Sequence, residues 1–233
     1  METNTILKYK KAVDDEGRNV LILDPIPEKA CCFDCVYCPA GRTVHHEEKI
    51  HDFGHKTPSV RNEILNMICE SEPEIVLIEP NGEAFFDDAI DFIIDAVHAT
   101  GTPVQILTSG YLLNKHPYRE TANRCEEIAA ELRHIRNEQL LKYQRPLAGI
   151  TLSGYIENIV AFRNQYPGRF LLEAALFKNI NDSDEDLRAL KEIIDRIRPD
   201  HVKVVEFTYP EKIYNAFGVG QERIEYAYRY FNS

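Results

Sequence analysis

Three cysteines, spaced C-x3-C-x2-C, are the residues of this chain that point most clearly to chemistry. Cys31, Cys35 and Cys38 lie in the stretch CCFDCVYCPAG, where Gly41 ends the turn. Thiolates this close in sequence can converge on one metal centre without ligands from distant residues. A structural zinc site takes four protein ligands, and a common four-iron cluster takes four cysteines. The spacing therefore predicts a metal centre with one open coordination position, where chemistry can take place.

The other cysteines have no such spacing. Cys32 is expected to point away from Cys31 and not to be a ligand. Cys69 and Cys125 fall within predicted helices and are expected to be buried thiols, because a free cysteine usually behaves as a small apolar residue. Without a further C-x2-C or C-x3-C group, the sequence predicts a single cluster.

A second dense group consists of four histidines within residues 45–55: His45, His46, His51 and His55. Such a density suggests a metal site, since imidazole is a common metal ligand. The sequence shows no acidic or cysteine partner spaced to complete one. Two interpretations therefore stay open, namely histidines that contact a substrate and a solvated loop.

The bulk composition limits the classes of function. The 233 residues carry a net charge of −11 and a pI near 5.2, which argues against broad, non-specific binding of nucleic acid. The first residues lack the apolar core of a signal peptide, and no apolar run approaches the roughly 18 residues needed to span a bilayer. We expect a cytoplasmic protein that does not associate with membranes, in which cysteines are metal ligands or buried thiols.

Hydrophobic periodicity predicts alternating strands and helices. The predicted strands are residues 19–24, 74–79, 103–110, 147–154, 169–177 and 201–207. Three predicted helices begin at Thr57-Pro58, at Asp87-Asp88 and at Ser183. Three others are predicted over residues 117–142, 155–165 and 220–231. Thr57 is a favourable N-cap, and Ser183 with Asp186 forms a capping-box pattern.

Six βα units with helical crossovers imply parallel strands. Because a closed barrel needs eight units, the sequence predicts an α/β fold, a partial (β/α)6 TIM-like barrel. Sites in such sheets lie at the carboxyl ends of the strands. This edge would collect the cysteine loop, the motifs PNGE, TSG and LSG, and the segment after EFTYP.

With CCFDCVYC near the N-terminus and six βα units behind it, the chain resembles the radical S-adenosylmethionine (radical SAM) superfamily. It is most similar to a compact archaeal and bacterial "Fe–S oxidoreductase" branch, through CFDCVYC-x2-GRT, ENIVAFRNQYPGRFLLEAALFKNINDSDEDLRAL and IRPDHVKVVEF. The resemblance covers about residues 18–210 of a single domain, 1–233, with a C-terminal helical extension over about 211–233.

The resemblance implies a [4Fe–4S] cluster held by Cys31, Cys35 and Cys38, with S-adenosylmethionine on the fourth iron. An electron from the cluster would split the sulfonium into methionine and a 5′-deoxyadenosyl radical, which removes hydrogen from an unidentified substrate. The chain would then be an oxidoreductase served by an electron donor such as flavodoxin or ferredoxin. Three ligands and one open iron agree with that chemistry.

The resemblance also implies residues that contact S-adenosylmethionine. Tyr37 stands where the family has an aromatic near the adenine, and Gly82-Glu83 matches its "GE" motif, which meets the methionine amino group. Ala84-Phe85 follows where this branch usually has Pro-Thr. Glu83 has a second interpretation, as an acid favoured by a helix dipole. The further contacts implied at strand ends or on strands are Thr108, Ser109, Ser153 and Glu173.

A function from another class also fits a three-cysteine loop. The chain could be a non-catalytic iron–sulfur or zinc protein that serves electron transfer or protein interaction. That alternative predicts tight metal binding without any spectral response to S-adenosylmethionine.

Overall fold

A computed structural model describes residues 7–207 and 211–233, which form one seven-stranded sheet curled into a half-barrel. The strands lie in chain order: β1 (Lys8–Val13), β2 (Asn19–Asp24), β3 (Ile75–Ile78), β4 (Val104–Thr108), β5 (Glu127–Leu132), β6 (Arg169–Ala175) and β7 (His201–Val205). Strands β2 to β7 are parallel, as predicted, and β1 pairs antiparallel with β2. The partial TIM-like barrel is confirmed, with one strand more than expected.

Eight α-helices within residues 7–207 and 211–233 connect and cover the strands. They are α1 (Pro58–Ser71), α2 (Ile90–His98), α3 (Tyr118–Ala122), α4 (Asn137–Gln139), α5 (Leu152–Arg163), α6 (Asp184–Ile197), α7 (Glu211–Phe217) and α8 (Gln221–Phe231). A 3-10 turn spans Ala84–Phe86, and α4 continues into a π-helical turn, Leu140–Gln144. Within the described residues, none of these helices has the length and apolar character to cross a membrane.

The predicted helix starts are confirmed where local chemistry determines them. The Thr57 side chain accepts a hydrogen bond from the Val60 amide at the start of α1. Ser183 and Asp186 form the predicted capping box of α6. Both caps satisfy amides that the first helical turn leaves unpaired.

The predicted helix over residues 117–142 and the predicted strand over 147–154 were both wrong. Residues 127–132 form β5, the fourth parallel strand, between β4 and β6. Ile128 and Leu132 stand four residues apart, a spacing that places side chains on one face of a helix and also on one face of a strand. Because Ala129 and Ala130 are buried too, the alternation typical of a strand is absent. Pairing with two neighbours overrides the helix propensity of this Ala- and Glu-rich segment.

The segment predicted as the fourth strand is a loop followed by the first turn of α5. Gly149 has a φ of 90°, and Thr151 is the N-cap of α5, accepting a hydrogen bond from the Gly154 amide. Ser153 therefore lies in the exposed first turn of a helix. Its predicted position at a strand end was wrong.

Two cysteine predictions also need correction. Cys69 lies in α1 as expected, but it is exposed and not buried. Cys125 is buried as expected, but it follows α3 and is not part of a helix. The inward face of α1 carries apolar side chains such as Val60 and Ile64, which are fully buried.

Candidate active site

A cavity of about 600 Å³ opens at the carboxyl ends of the parallel strands, and the three predicted cysteine ligands line it together. Cys31, Cys35 and Cys38 contribute to its wall, whereas Cys32 is buried and does not. The cavity wall also contains four other residues singled out in the sequence: Gly82, Thr108, Ser109 and Glu173. The geometry thus brings together seven of the ten candidate site residues.

The cysteine loop is folded by its own backbone and by neighbouring polar groups. The Cys38 amide donates to the Cys35 carbonyl at 3.3 Å, and the Gly41 amide donates to the Cys38 carbonyl at 3.0 Å. Gly41 has a φ of 80°, a conformation that glycine adopts without strain. The Lys29 ammonium donates to the Gly41 carbonyl at 2.7 Å and thereby holds the end of the loop.

The cysteine thiols lie in an environment that disfavours the thiolate. Burial raises the pKa of the Cys31 thiol well above its ordinary value, and the Glu83 carboxylate raises it further. Burial, with a contribution from Cys38, raises the pKa of Cys35 to about 12. These thiols are therefore protonated at neutral pH unless a cation compensates the charge. A metal centre does so, because ligand binding to a metal displaces the proton.

Gly82 joins the end of β3 to the cysteine loop by close backbone contact. A Cβ atom at this position would lie 2.3 Å from the Ala30 carbonyl oxygen, far inside van der Waals contact. Its φ of 155° is also one that other residues rarely adopt. Next to it, the Glu83 amide donates to the same Ala30 carbonyl at 2.9 Å. Only glycine fits here.

The Glu83 side chain is buried behind the cavity wall and faces the end of β4. Its carboxylate accepts hydrogen bonds from the Thr108 hydroxyl and the Ser109 hydroxyl, each at 2.6 Å, and from the Ser109 amide at 3.3 Å. Burial raises the pKa of Glu83 above its ordinary value, although the hydrogen bonds from Ser109 and Thr108 oppose this shift. Glu83 therefore orients two residues that do line the cavity.

Charged side chains from β5, β6 and β7 form the opposite part of the wall: Glu131, Arg133, Glu173 and Lys203. Arg133 is 5% exposed, forms an ion pair with Glu131 and places its guanidinium 4.8 Å from the centre of the Phe207 ring. Its Nη1 atom has no hydrogen-bond partner among the described residues. A buried guanidinium nitrogen without a partner is costly, so it is available to an anionic or carbonyl group of a ligand.

The Glu173 carboxylate interacts with both cations of this part of the wall. Its carboxylate is 3.8 Å from the Lys203 ammonium. Burial raises the pKa of Glu173 above its ordinary value, and the charges of Arg133 and Lys203 oppose that effect. Glu173 was predicted to lie on a strand at the site, and the structure places it on β6 in the cavity wall.

Tyr37 does not line the cavity and instead supports its wall from behind. The ring is 2% exposed, with its centre 4.5 Å from that of Phe177 and 5.3 Å from that of Phe207, which lines the cavity. The hydroxyl lies 3.1 Å from His134 Nε2. Burial, with a contribution from Arg133, lowers the pKa of His134 to about 3, so the imidazole is neutral at neutral pH.

Sequence reasoning missed several residues of the wall. Glu131 and Arg133 were missed because β5 was interpreted as a helix. Lys8 and Lys10 belong to the antiparallel β1, whose lysine-rich sequence is typical of an exposed edge strand and carries little hydrophobic signal. Ser153 does not line the cavity. The segment after EFTYP, which was predicted to join this site, forms α7 and does not line the cavity, and residues 208–210 lie outside the described residues.

No protein-family model matches the chain. A protein named GTPase Obg from Brachyspira hyodysenteriae is 25% identical over 238 residues, which cover 100% of this chain and 35% of that protein. The chain thus spans little more than a third of its length. A UPF0026 protein from Synechocystis sp. is 26% identical over 199 residues, covering 84% of this chain and 73% of that protein.

Solved structures share the architecture at low sequence identity. A radical SAM methyltransferase from Sphaerobacter thermophilus superposes with a TM-score of 0.66 at 14% identity, over 98% of this chain and 74% of that one. The chain has the radical SAM fold. The structure of TYW1 with a lysine–pyruvate adduct bound has a TM-score of 0.64 at 13% identity, over 91% of this chain and 72% of that one. The methyltransferase TsrM from Kitasatospora setae, with cobalamin and a [4Fe–4S] cluster bound, has a TM-score of 0.54 at 14% identity. The superposition covers 82% of this chain and 36% of that one.

Within the radical SAM fold, the cysteine loop follows β2 and the cavity lies at the carboxyl ends of β2 to β7. The sequence-based resemblance is therefore confirmed for the fold. The roles of individual residues in cofactor binding stay predictions.

Proposed function

We propose that this chain is a radical SAM enzyme whose cysteine loop holds a [4Fe–4S] cluster and whose cavity binds S-adenosylmethionine. The observation that supports it most is that three thiols, and not the fourth neighbouring one, line a cavity of about 600 Å³. Three protein ligands leave one iron for a cofactor, and a cavity of this size accommodates a small molecule.

The donor set fits an iron–sulfur cluster. Three cysteine thiols that face one cavity are the ligand type that iron–sulfur clusters take, and binding to the metal centre would displace their protons. TsrM, which shares the fold and whose structure contains a bound [4Fe–4S] cluster, supports the same assignment. When bound, the cluster supplies the electron that cleaves S-adenosylmethionine to methionine and a 5′-deoxyadenosyl radical, with flavodoxin or ferredoxin as the class of electron donor.

The residues of the chain bind and orient the cofactor in this proposal. The Gly82 backbone allows the close approach of β3 to the cysteine loop, and Glu83 fixes the hydroxyls of Thr108 and Ser109 at the cavity wall. Arg133 offers its unpartnered Nη1 to a carboxylate or carbonyl oxygen of a ligand. Tyr37 and Phe177 support Phe207, which presents an aromatic surface to the cavity.

GTP hydrolysis, which the name of the Brachyspira relative suggests, is not proposed for this chain. The sequence contains no G-x4-G-K-[ST] loop of the kind that cradles nucleotide phosphates.

Anaerobic reconstitution with iron and sulfide tests the proposal. We expect about four irons per chain and, with a strong reductant, formation of 5′-deoxyadenosine and methionine from S-adenosylmethionine. Replacing Cys31, Cys35 or Cys38 by Ala should abolish both, whereas Cys32→Ala is the matched control and should retain them. A cluster that assembles but leaves S-adenosylmethionine intact and its own spectrum unchanged would instead identify a non-catalytic iron–sulfur protein.

A further inference from the structure

A second set of metal-ligand side chains lies in the loop between the cysteines and α1. One ligand atom each from His45, Glu47 and His51 lies within 4.8 Å of the other two. The sequence showed no acidic partner spaced to complete a site in this histidine-rich loop, but the structure places the Glu47 carboxylate close to both imidazoles. The loop is also not solvated throughout: His55 is buried and its Nδ1 lies 2.7 Å from Asp87 Oδ2.

Ordinary hydrogen bonding does not explain this arrangement. The His51 side chain is 13% exposed, and its buried Nε2 atom has no hydrogen-bond partner among the described residues. The Glu47 carboxylate is 3.6 Å from that nitrogen, which is longer than a good hydrogen bond. His45 Nε2 is similarly distant from Glu28, at 3.5 Å. A buried imidazole nitrogen without a partner carries a desolvation cost that a metal ion would remove.

We propose that His45, Glu47 and His51 bind one divalent transition-metal ion, with zinc as the first candidate, at a site separate from the cysteine cluster. Two imidazoles and a carboxylate are ligands that zinc accepts, at about 2.0–2.2 Å from each donor atom. Neighbouring donors on a tetrahedral ion are then about 3.3 Å apart, so side-chain rotation must bring the ligands somewhat closer. Glu28 or a water molecule completes the coordination.

Backbone hydrogen bonds attach the two histidines to different segments of the chain. The Cys31 amide donates to the His45 carbonyl at 3.1 Å, while the His45 amide donates to the Lys29 carbonyl at 3.0 Å. The His51 amide donates to the Phe86 carbonyl at 2.7 Å, and its carbonyl accepts from the Asp88 amide at 2.9 Å. His45 is thus attached to the cysteine loop and His51 to the segment that follows Glu83.

An ion shared by these histidines would join those two segments from outside the cavity. Its role would be structural, because it keeps the start of the cysteine loop against the turn that contains Gly82 and Glu83. Preformed backbone contacts lower the cost of binding, since the ligands need only side-chain adjustment. This inference does not depend on the proposed radical SAM activity.

Zinc titration of the full chain tests it directly. In a background with Cys31, Cys35 and Cys38 changed to Ser, so that these thiolates do not compete, we expect one equivalent of Zn²⁺ by calorimetry and a higher Tm with the metal. The His51→Asn variant should bind no equivalent of Zn²⁺, and its Tm should not rise when the metal is added. The Glu47→Gln variant should bind Zn²⁺ at least about tenfold more weakly. His116→Asn, at an exposed histidine, is the matched control and should bind like the parent.

If the background does not fold, Co²⁺ serves as the probe in the intact chain, because thiolate ligands give charge-transfer bands that nitrogen and oxygen ligands lack. We then expect a cobalt component without thiolate charge transfer, in addition to any thiolate bands from the cysteine loop. This component should disappear in the His45→Asn/His51→Asn variant and persist in His116→Asn. Equal metal binding by the histidine variants and the control, in either format, would overturn the proposal.

Discussion

The two parts of the cavity wall are held together by different forces. At the ends of β2, β3 and β4, the contacts are close backbone packing and hydrogen bonds within a buried network. Gly82 lies directly against Ala30, and Glu83 accepts from both Thr108 and Ser109. This part tolerates almost no change in shape, because each group is already in contact with the next.

At the ends of β5, β6 and β7, the wall is instead organised by charge. Arg133 faces Glu131 and Glu173, and Lys203 lies at the more exposed end. One guanidinium nitrogen has no partner among the described residues, so this part keeps an unused capacity for a ligand. In the proposed function, the first part would position the cluster and the second part would select what binds next to it.

The comparison predicts its largest effect at Gly82. In Gly82→Ala the new methyl group would overlap the Ala30 carbonyl, and the backbone conformation would be strained as well. We expect the free energy of unfolding to fall by about 3 kcal/mol or more, with loss of cluster retention. Chemical denaturation measures the first, and iron content after reconstitution the second.

Gly149→Ala is the control for this change, because Gly149 also has a positive φ, 90°, but has open space around its Cβ position. It should cost only the conformational strain, about 1–2 kcal/mol, and leave iron content unchanged. Equal losses in the two variants would show that close packing is not what distinguishes the first part of the wall.

Charge removal should act most strongly at Arg133. Arg133→Met leaves Glu131 without its ion-pair partner and removes a positive charge that favours the Glu173 carboxylate, in a largely buried setting. We expect a loss of about 3 kcal/mol in urea unfolding. Lys203→Met is the matched control, since its side chain is 45% exposed and its ion pairs are screened by solvent. Its cost should be about 1 kcal/mol or less. If the two variants lose the same unfolding free energy, the stabilisation by these ion pairs does not depend on burial.

The same division explains what could be predicted from the sequence. The first part of the wall follows from local signals, namely the cysteine spacing, the Thr57 cap of α1 and the Gly-Glu pair after a buried apolar run. The second part depends on β5, whose Ile128 and Leu132 fit a helix equally well until pairing with β4 and β6 is known. Long-range pairing also hid β1, because lysines on an edge strand give no apolar pattern.

The histidine loop shows the same limit on a smaller scale. Its ligands are close in sequence, but only the backbone contacts of His45 with Lys29 and of His51 with Phe86 turn their side chains toward one another. Periodicity carries no information about a loop without regular structure. The residue types alone therefore show which metal-ligand side chains the loop contains. They do not show that the Glu47 carboxylate lies close to both imidazoles.

His134, which follows Arg133, provides a pH-dependent test of the charged part. Its pKa in the folded chain is about 3, below the roughly 6.5 of an unfolded histidine, so acid protonates the unfolded state first. The wild-type chain should therefore lose about 2 kcal/mol of unfolding free energy from this group between pH 7 and pH 5. His134→Gln should show a correspondingly weaker pH dependence in urea unfolding, whereas His116→Gln should match the wild type. Parallel curves for all three proteins would contradict burial of a neutral imidazole.

The smallest change probes the hydrogen-bonded network of the first part. Glu83→Gln keeps the size of the side chain but replaces one accepting oxygen by a donor, which the Ser109 amide and the two hydroxyls do not all accommodate. Because burial already raises the pKa of Glu83 and disfavours its charge, the neutral amide recovers part of the loss. We expect a net cost of about 1 kcal/mol, against about 2–3 kcal/mol for Glu83→Ala, which leaves the hydroxyls without an acceptor. Chemical denaturation distinguishes the two. A Gln variant as unstable as the Ala variant would mean that this part of the wall also depends on charge, and the distinction between the two parts would no longer hold.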